Sequence, residues 1–110
     1  MAGKYEVYKD KKGEYRFRLK AGNGQSILTG EGYASRGGCD NGIASIRTNS
    51  VDAAQYERKE AKNGKHYFVL KAKNHQVIGQ SEMYNSEDAM ENGIKSAMEN
   101  GPTETVEDLA

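Results

Sequence analysis

Residues 14–21, EYRFRLKA, alternate between apolar and charged side chains without a break. Tyr15, Phe17, Leu19 and Ala21 fall on one side and Arg16, Arg18 and Lys20 on the other. That period of two is the pattern of a half-buried strand. YEVYKD (5–10) alternates in the same way before it, and a turn carrying Gly13 joins the two. Asn23-Gly24 then predicts a two-residue type I′ hairpin turn, with positive φ at both central residues, and QSILTGE (25–31) supplies a third strand. Beyond it the period changes. Ser35, Cys39, Ile43 and Ile46 recur at helical spacing.

The same grammar returns 51 residues later. Sliding the chain against itself by that amount aligns positions 5–50 with 56–101 without a gap, and 19 of the 46 pairs are identical. An internal repeat governs how every later feature is read. The second copy has YERKE, a turn at Gly64, the strand HYFVLKA, Asn74-His75 in place of Asn23-Gly24, and QVIGQSE. Its helix is the better formed. Ser86 is a good N-cap followed by Glu87 and Asp88, and Met90, Ile94, Ala97 and Met98 share one face. The first helix carries Gly37 and Gly38, each costing ~1 kcal/mol relative to alanine in a helix interior. Pro102 ends the second helix and TETVEDL can add a final strand. The predicted order is βββα-βββα-β, a single domain over 1–110 built of repeats at about 4–54 and 55–110.

The paired F-x-L-K-A-x-N-x-Q strands and paired N-G-I-x-S helices resemble the YegP-like proteins, small bacterial proteins of unknown function that carry one or two copies of this motif. The resemblance covers essentially the whole chain. It implies an α+β fold in which two βββαβ-type units share a mainly antiparallel sheet. A helix from each repeat packs on that sheet, and the C-terminal strands are exchanged. It implies no activity and no catalytic residues. A unit of about fifty residues buries too little surface to fold robustly alone, and a small sheet leaves unpaired edges. Two copies in one chain answer both needs, so the expectation is a monomer with pseudo-twofold symmetry. Strand 55–61 is expected at the centre of the sheet, closing the first unit and opening the second.

Composition narrows the chemistry. Sixteen basic and sixteen acidic residues cancel, so no bulk field draws the chain to nucleic acid or an anionic membrane. Apolar residues make up 35% and mean hydropathy is −0.91, so the core is small. No stretch approaches the ~20 apolar residues of a membrane span, and the first ten residues lack the apolar core of a signal peptide. With a single cysteine, a soluble cytoplasmic protein without membrane association is expected.

Candidate sites are few. Cys39 sits on the apolar helix stripe where the second copy places Met90, which fits a buried filler better than a nucleophile. His66 and His75 occupy the positions of Tyr15 and Gly24, and neither they nor Cys39 make up a four-ligand zinc set. No cofactor, metal or catalytic residue is expected, and the chain does not read as an enzyme. Asn41, Ser45 and Asn49 recur as Asn92, Ser96 and Asn100 along one side of each helix. A ligand groove is one reading; the other has Asn49 and Asn100 ending their helices in a left-handed conformation. Gly42 and Gly93 fit close helix–sheet approach.

The strongest binding candidate is the polar side of the second strand, Arg16, Arg18 and Lys20, together with Tyr67 and Lys71 of its counterpart. Cations and an aromatic on an open sheet face suit an anionic ligand or a nucleic-acid backbone. The alternative is a solvated face whose cations pair with Glu6 or Glu14, on a structural or stress-associated protein with no small-molecule ligand.

Overall fold

A computed structural model describes residues 3–110. Its elements run β1 (Lys4–Lys9), β2 (Tyr15–Lys20), β3 (Ser26–Thr29), α1 (Arg36–Asn49), β4 (Tyr56–Glu60), β5 (His66–Lys71), β6 (Val77–Ser81), α2 (Glu87–Asn100) and β7 (Val106–Asp108). The seven strands form one sheet in the order β4-β5-β6-β3-β2-β1-β7. Every pairing is antiparallel except that of β7 with β1. The two meanders meet at β3 and β6 through two residue pairs, Leu28↔Ser81 and Thr29↔Gln80. Thr29 and Gln80 are equivalent under the 51-residue shift, so at the seam a residue of one repeat pairs with its own counterpart in the other.

The sequence reading puts residues 55–61 at the centre of the sheet; the structure puts them at its edge. β4 pairs with β5 alone. The chain leaves α1 through a 3-10 turn at Ala53–Gln55 and enters β4 at once, where these residues serve as the first strand of the second repeat and pair with β5 rather than closing the first unit. After α2 the chain instead returns to the first repeat: β7 lies parallel to β1, with Tyr5 opposite Val106 and Val7 opposite Asp108.

The hairpin turns also differ from the type I′ expectation. Asn23 and Asn74 do not take positive φ; Gly24 and His75 do, at 87° and 69°. Ala21 N–H donates to Gln25 O and Gly24 N–H to Ala21 O. This is a three-residue loop in which only the last residue is left-handed. Gly13 and Gly64 close the outer hairpins in the same way.

Both helices lie on one face of the sheet. Ser86 Oγ accepts from Ala89 N–H at 3.1 Å, so the predicted cap forms, and Ser35 at the equivalent position accepts from Gly38 N–H at 3.1 Å. α1 packs on β2 of its own repeat and on β5 and β6 of the other, while α2 packs on β5, β3 and β2. The core is therefore common to both repeats. Tyr5, Phe17, Leu19, Ile46, Phe68 and Leu70 are fully buried in it, as is Cys39. Each such side chain contributes ~1.5–3 kcal/mol by leaving water. Phe17 stacks on Tyr33 and Phe68 on Tyr84, with ring centroids 6.2 and 6.3 Å apart. Those tyrosines explain the paired helix glycines: a Cβ on Gly42 or Gly93 would run into the hydroxyl of Tyr33 or Tyr84.

Candidate functional site

With both helices on one side, the other face of the sheet is uncovered. Period two places Glu6 and Tyr8 of β1 there, opposite Arg18 and Arg16 of β2. Lys20 completes the row. Across the seam the same face carries Tyr67, Val69 and Lys71 of β5 and Glu57 and Lys59 of β4. All five predicted binding residues thus share one face but do not form one patch. Strands β3 and β6 lie between β2 and β5, a separation of ~14 Å at the usual strand spacing.

The cations of β2 come with acids. Arg18 Nε donates to Glu6 Oε1 at 2.7 Å, and Lys20 Nζ lies 3.5 Å from the same oxygen. Lys4 Nζ approaches the other Glu6 oxygen at 3.5 Å. Arg16 Nε donates to Asp10 Oδ2 at 2.9 Å, and Lys71 pairs with Glu57 at 2.6 Å. Glu6 is the expected partner; Asp10 takes the role the sequence reading offered to Glu14, because the outer hairpin loop turns its carboxylate back over β2. The Asp10 carboxylate also accepts from the amides of Lys12 and Glu14. Arg18 lies over the Tyr8 ring, 4.5 Å from its centroid.

Glu6 is the electrostatic centre of this lobe. Its side chain is 7% exposed. The Arg18 hydrogen bond, aided by the charges of Lys20 and Arg18, holds its carboxyl at about 2, against a burial effect that acts the other way. A carboxylate of this chain already occupies the place where an external anion would be most strongly held. At the seam a shallow cleft of ≈ 280 Å³ opens beside Arg16, between the equivalent residues Glu31 and Glu82.

The remaining candidates resolve into structure. Cys39 is buried, which pushes its thiol up from the ordinary value. His75 is a turn residue, and His66 is half-buried beside Tyr84. Among the described residues no three His, Cys, Asp or Glu side chains come together as a metal-holding group. Asn49 and Asn100 are right-handed and end no helix in the left-handed conformation; no asparagine has positive φ. Instead each donates from Nδ2 to the carbonyl one turn earlier, Ser45 O or Ser96 O, at 2.8 Å. Asn41 and Asn92 face solvent. No helix is long and apolar enough to cross a membrane among the described residues.

Comparison with known proteins places this geometry among relatives. Residues 10–57 and 61–108 each match DUF1508, a domain of unknown function. A UPF0339 protein of Acinetobacter baylyi is 56% identical over 99% of this chain and 98% of its own length. The UPF0339 protein YegP of Escherichia coli K12 is 51% identical over 98% of each. The solution structure of the E. coli YegP protein, described as of unknown function, superposes with a TM-score of 0.94 at 50% identity over 99% of this chain and 94% of that one. A UPF0339 protein structure from Shewanella oneidensis gives 0.92 at 54% identity, over 99% and 92%.

Proposed function

The chain belongs to the DUF1508 family in a two-copy form, and on that footing we propose that it is a non-catalytic binding module of the cytoplasm. Its binding surface is the open face of the sheet, and its target is an anionic ligand or a nucleic-acid backbone. The supporting observation is the row Arg16, Arg18 and Lys20 on a face that no helix covers, with the half-buried Tyr8 and Tyr67 on the same side. An incoming anion must compete with Glu6 and Asp10, so binding is weak, reversible and sensitive to salt.

The pairing of each β2 cation with a carboxylate favours a second reading, a structural protein whose ion pairs simply solvate the face. A heparin column separates the two. The binding module is retained at low salt, loses retention when Arg16, Arg18 and Lys20 are all changed to alanine, and gains retention on Glu6→Gln. Flow-through of both the wild-type chain and Glu6→Gln leaves the structural reading standing.

A further inference from the structure

We propose that the outer edge of β4 is a docking site for an extended, basic segment of a partner protein, taken up as an eighth strand parallel to β4. This site is separate from the open face and does not depend on it.

The template lies within the chain. β1 and β4 are equivalent strands, yet only β1 has an outer neighbour. There β7 lies parallel, with Tyr5 N–H donating to Thr105 O at 2.9 Å and Leu109 N–H to Val7 O at 2.7 Å. In β4 the residues paired inward are known from the hairpin: Ala61 N–H donates to Lys65 O, and the ladder continues through Lys59↔Tyr67 and Glu57↔Val69. Alternation therefore turns Tyr56 C=O and both backbone groups of Arg58 outward. Tyr56 N–H bonds Ala53 O, so an added strand engages from Tyr56 C=O onward. Among the described residues no strand pairs with this edge. Exposed ladder groups of this kind accept partner peptides in the strand-addition mode.

Side chains decide which strand. At β1 the end of β7 is held by Arg36, which donates to Asp108 Oδ2 at 2.6 Å, and by Lys4, which donates to Glu107 at 2.9 Å. The residue equivalent to Arg36 is Glu87, that equivalent to Lys9 is Glu60, and that equivalent to Lys4 is Gln55. Beside the β4 edge Glu60 and Glu87 border a cleft of ≈ 280 Å³ together with Arg58, Lys59, His66, Met90 and Glu91. Arg58 is already engaged by Glu91, and Lys59 Nζ lies 3.9 Å from Glu57 on the other face, so among the described residues Glu60 and Glu87 form no ion pair. The first edge is built to hold an acidic strand; the second, by charge reversal at equivalent positions, holds a basic one. The same reversal disfavours β7 of a second copy, which carries Glu104, Glu107 and Asp108. Like charges brought together at an interface act against that pairing.

The test uses the full chain and two octapeptides. One has the sequence of residues 103–110; the other has the same sequence with Glu104→Lys, Glu107→Lys and Asp108→Lys. Each is titrated into isotopically labelled protein and followed by amide shifts. The lysine peptide should give saturable shifts at Arg58 and Glu60, with an apparent affinity at least about tenfold above that of the parent peptide. Glu87→Lys, an exposed substitution on the rim, should erase that preference. Equal affinity of the two peptides, or no shift at β4 with either, overturns the proposal. So does a concentration-dependent dimer that perturbs the β4 amides without peptide, since a second copy would then be the occupant.

Discussion

Ser50 and Gly101, the equivalent residues that follow the two helices, lie against each other. A side-chain carbon on Gly101 would overlap both Oγ and Cβ of Ser50. Ser50 is fully buried. The first strand of each repeat reaches to the same place: Tyr5 Oη donates to Gly101 O at 2.6 Å, and Tyr56 Oη to Ser50 O at 2.7 Å. Each tyrosine therefore ties down the helix end of the other repeat. Restoring the symmetry of the sequence here should harm the protein. Gly101→Ser is expected to lower stability by about 1–3 kcal/mol, the usual range for overpacking. Ser50→Ala, which keeps the contact and removes only the hydroxyl, should cost less. Chemical denaturation of the two variants checks the order.

Gly42 faces Tyr33 as closely as Gly93 faces Tyr84. Gly42→Ala is expected to destabilise by about 1–3 kcal/mol despite the better helix propensity of alanine. Tyr33→Phe removes the atom nearest the added methyl, so the double variant should recover part of that loss. The ring carbon Cζ of residue 33 at 2.8 Å and Phe17 Cε2 at 3.0 Å from the added carbon keep the recovery incomplete. A double-mutant cycle reads the coupling directly.

His75 holds φ at 69°, the position that Gly24 fills in the first repeat. His75→Gly should raise stability by about 0.5–1 kcal/mol, the relief of a left-handed L-residue less the entropy glycine loses on folding. Gly24→Ala should lower it by a similar amount. Thermal melts of the pair should move in opposite directions.

Glu6 makes stability depend on acid. Its folded-state carboxyl sits at about 2, below its ordinary value of 4.5. A depressed carboxyl contributes its full stabilisation above the ordinary value and loses it as pH falls toward 2, here up to about 3 kcal/mol. Glu6→Gln should flatten the stability profile between about pH 4.5 and 2 while leaving Lys4, Arg18 and Lys20 without their shared acid. Urea midpoints across that window test it.

The helix starts should differ in local opening. α2 has Glu87 and Asp88 in its first turn; α1 has no acid there and has Gly37 and Gly38 instead. Amides 38–40 should exchange faster than 89–91. A Cβ on Gly37 meets nothing within 4 Å, so Gly37→Ala should slow exchange at α1 and stabilise the chain by up to about 1 kcal/mol.

The side of the sheet to which each strand residue belongs was legible in the sequence, because period two fixes it. Tyr15, Phe17 and Leu19 face the helices and Arg16, Arg18 and Lys20 do not. The cap at Ser86 and the close approach at Gly42 and Gly93 followed from residue type. Strand order did not, since alternation names a face and never a neighbour. That is why the place of residues 55–61 between the two repeats pointed to a central strand where the structure has an edge. Nor did it reveal that Asp10, at the start of a turn, would reach Arg16, because the match of loop to strand depends on how the hairpin closes. The charge reversal from Arg36 to Glu87 was visible all along, but it gained meaning only once β7 was seen against one edge and nothing against the other.

The parallel pairing of β1 with β7 has a mechanical consequence. Lys4 and Asp108 lie at opposite ends of two strands that run side by side in the same direction. Force applied to draw those residues apart runs along the strands, so the ladder bonds are loaded together in shear. The β3–β6 seam, joined by only two residue pairs, stays out of that load path until β7 has slipped. The latch between the first strand and the last therefore sets the force at which the chain begins to yield.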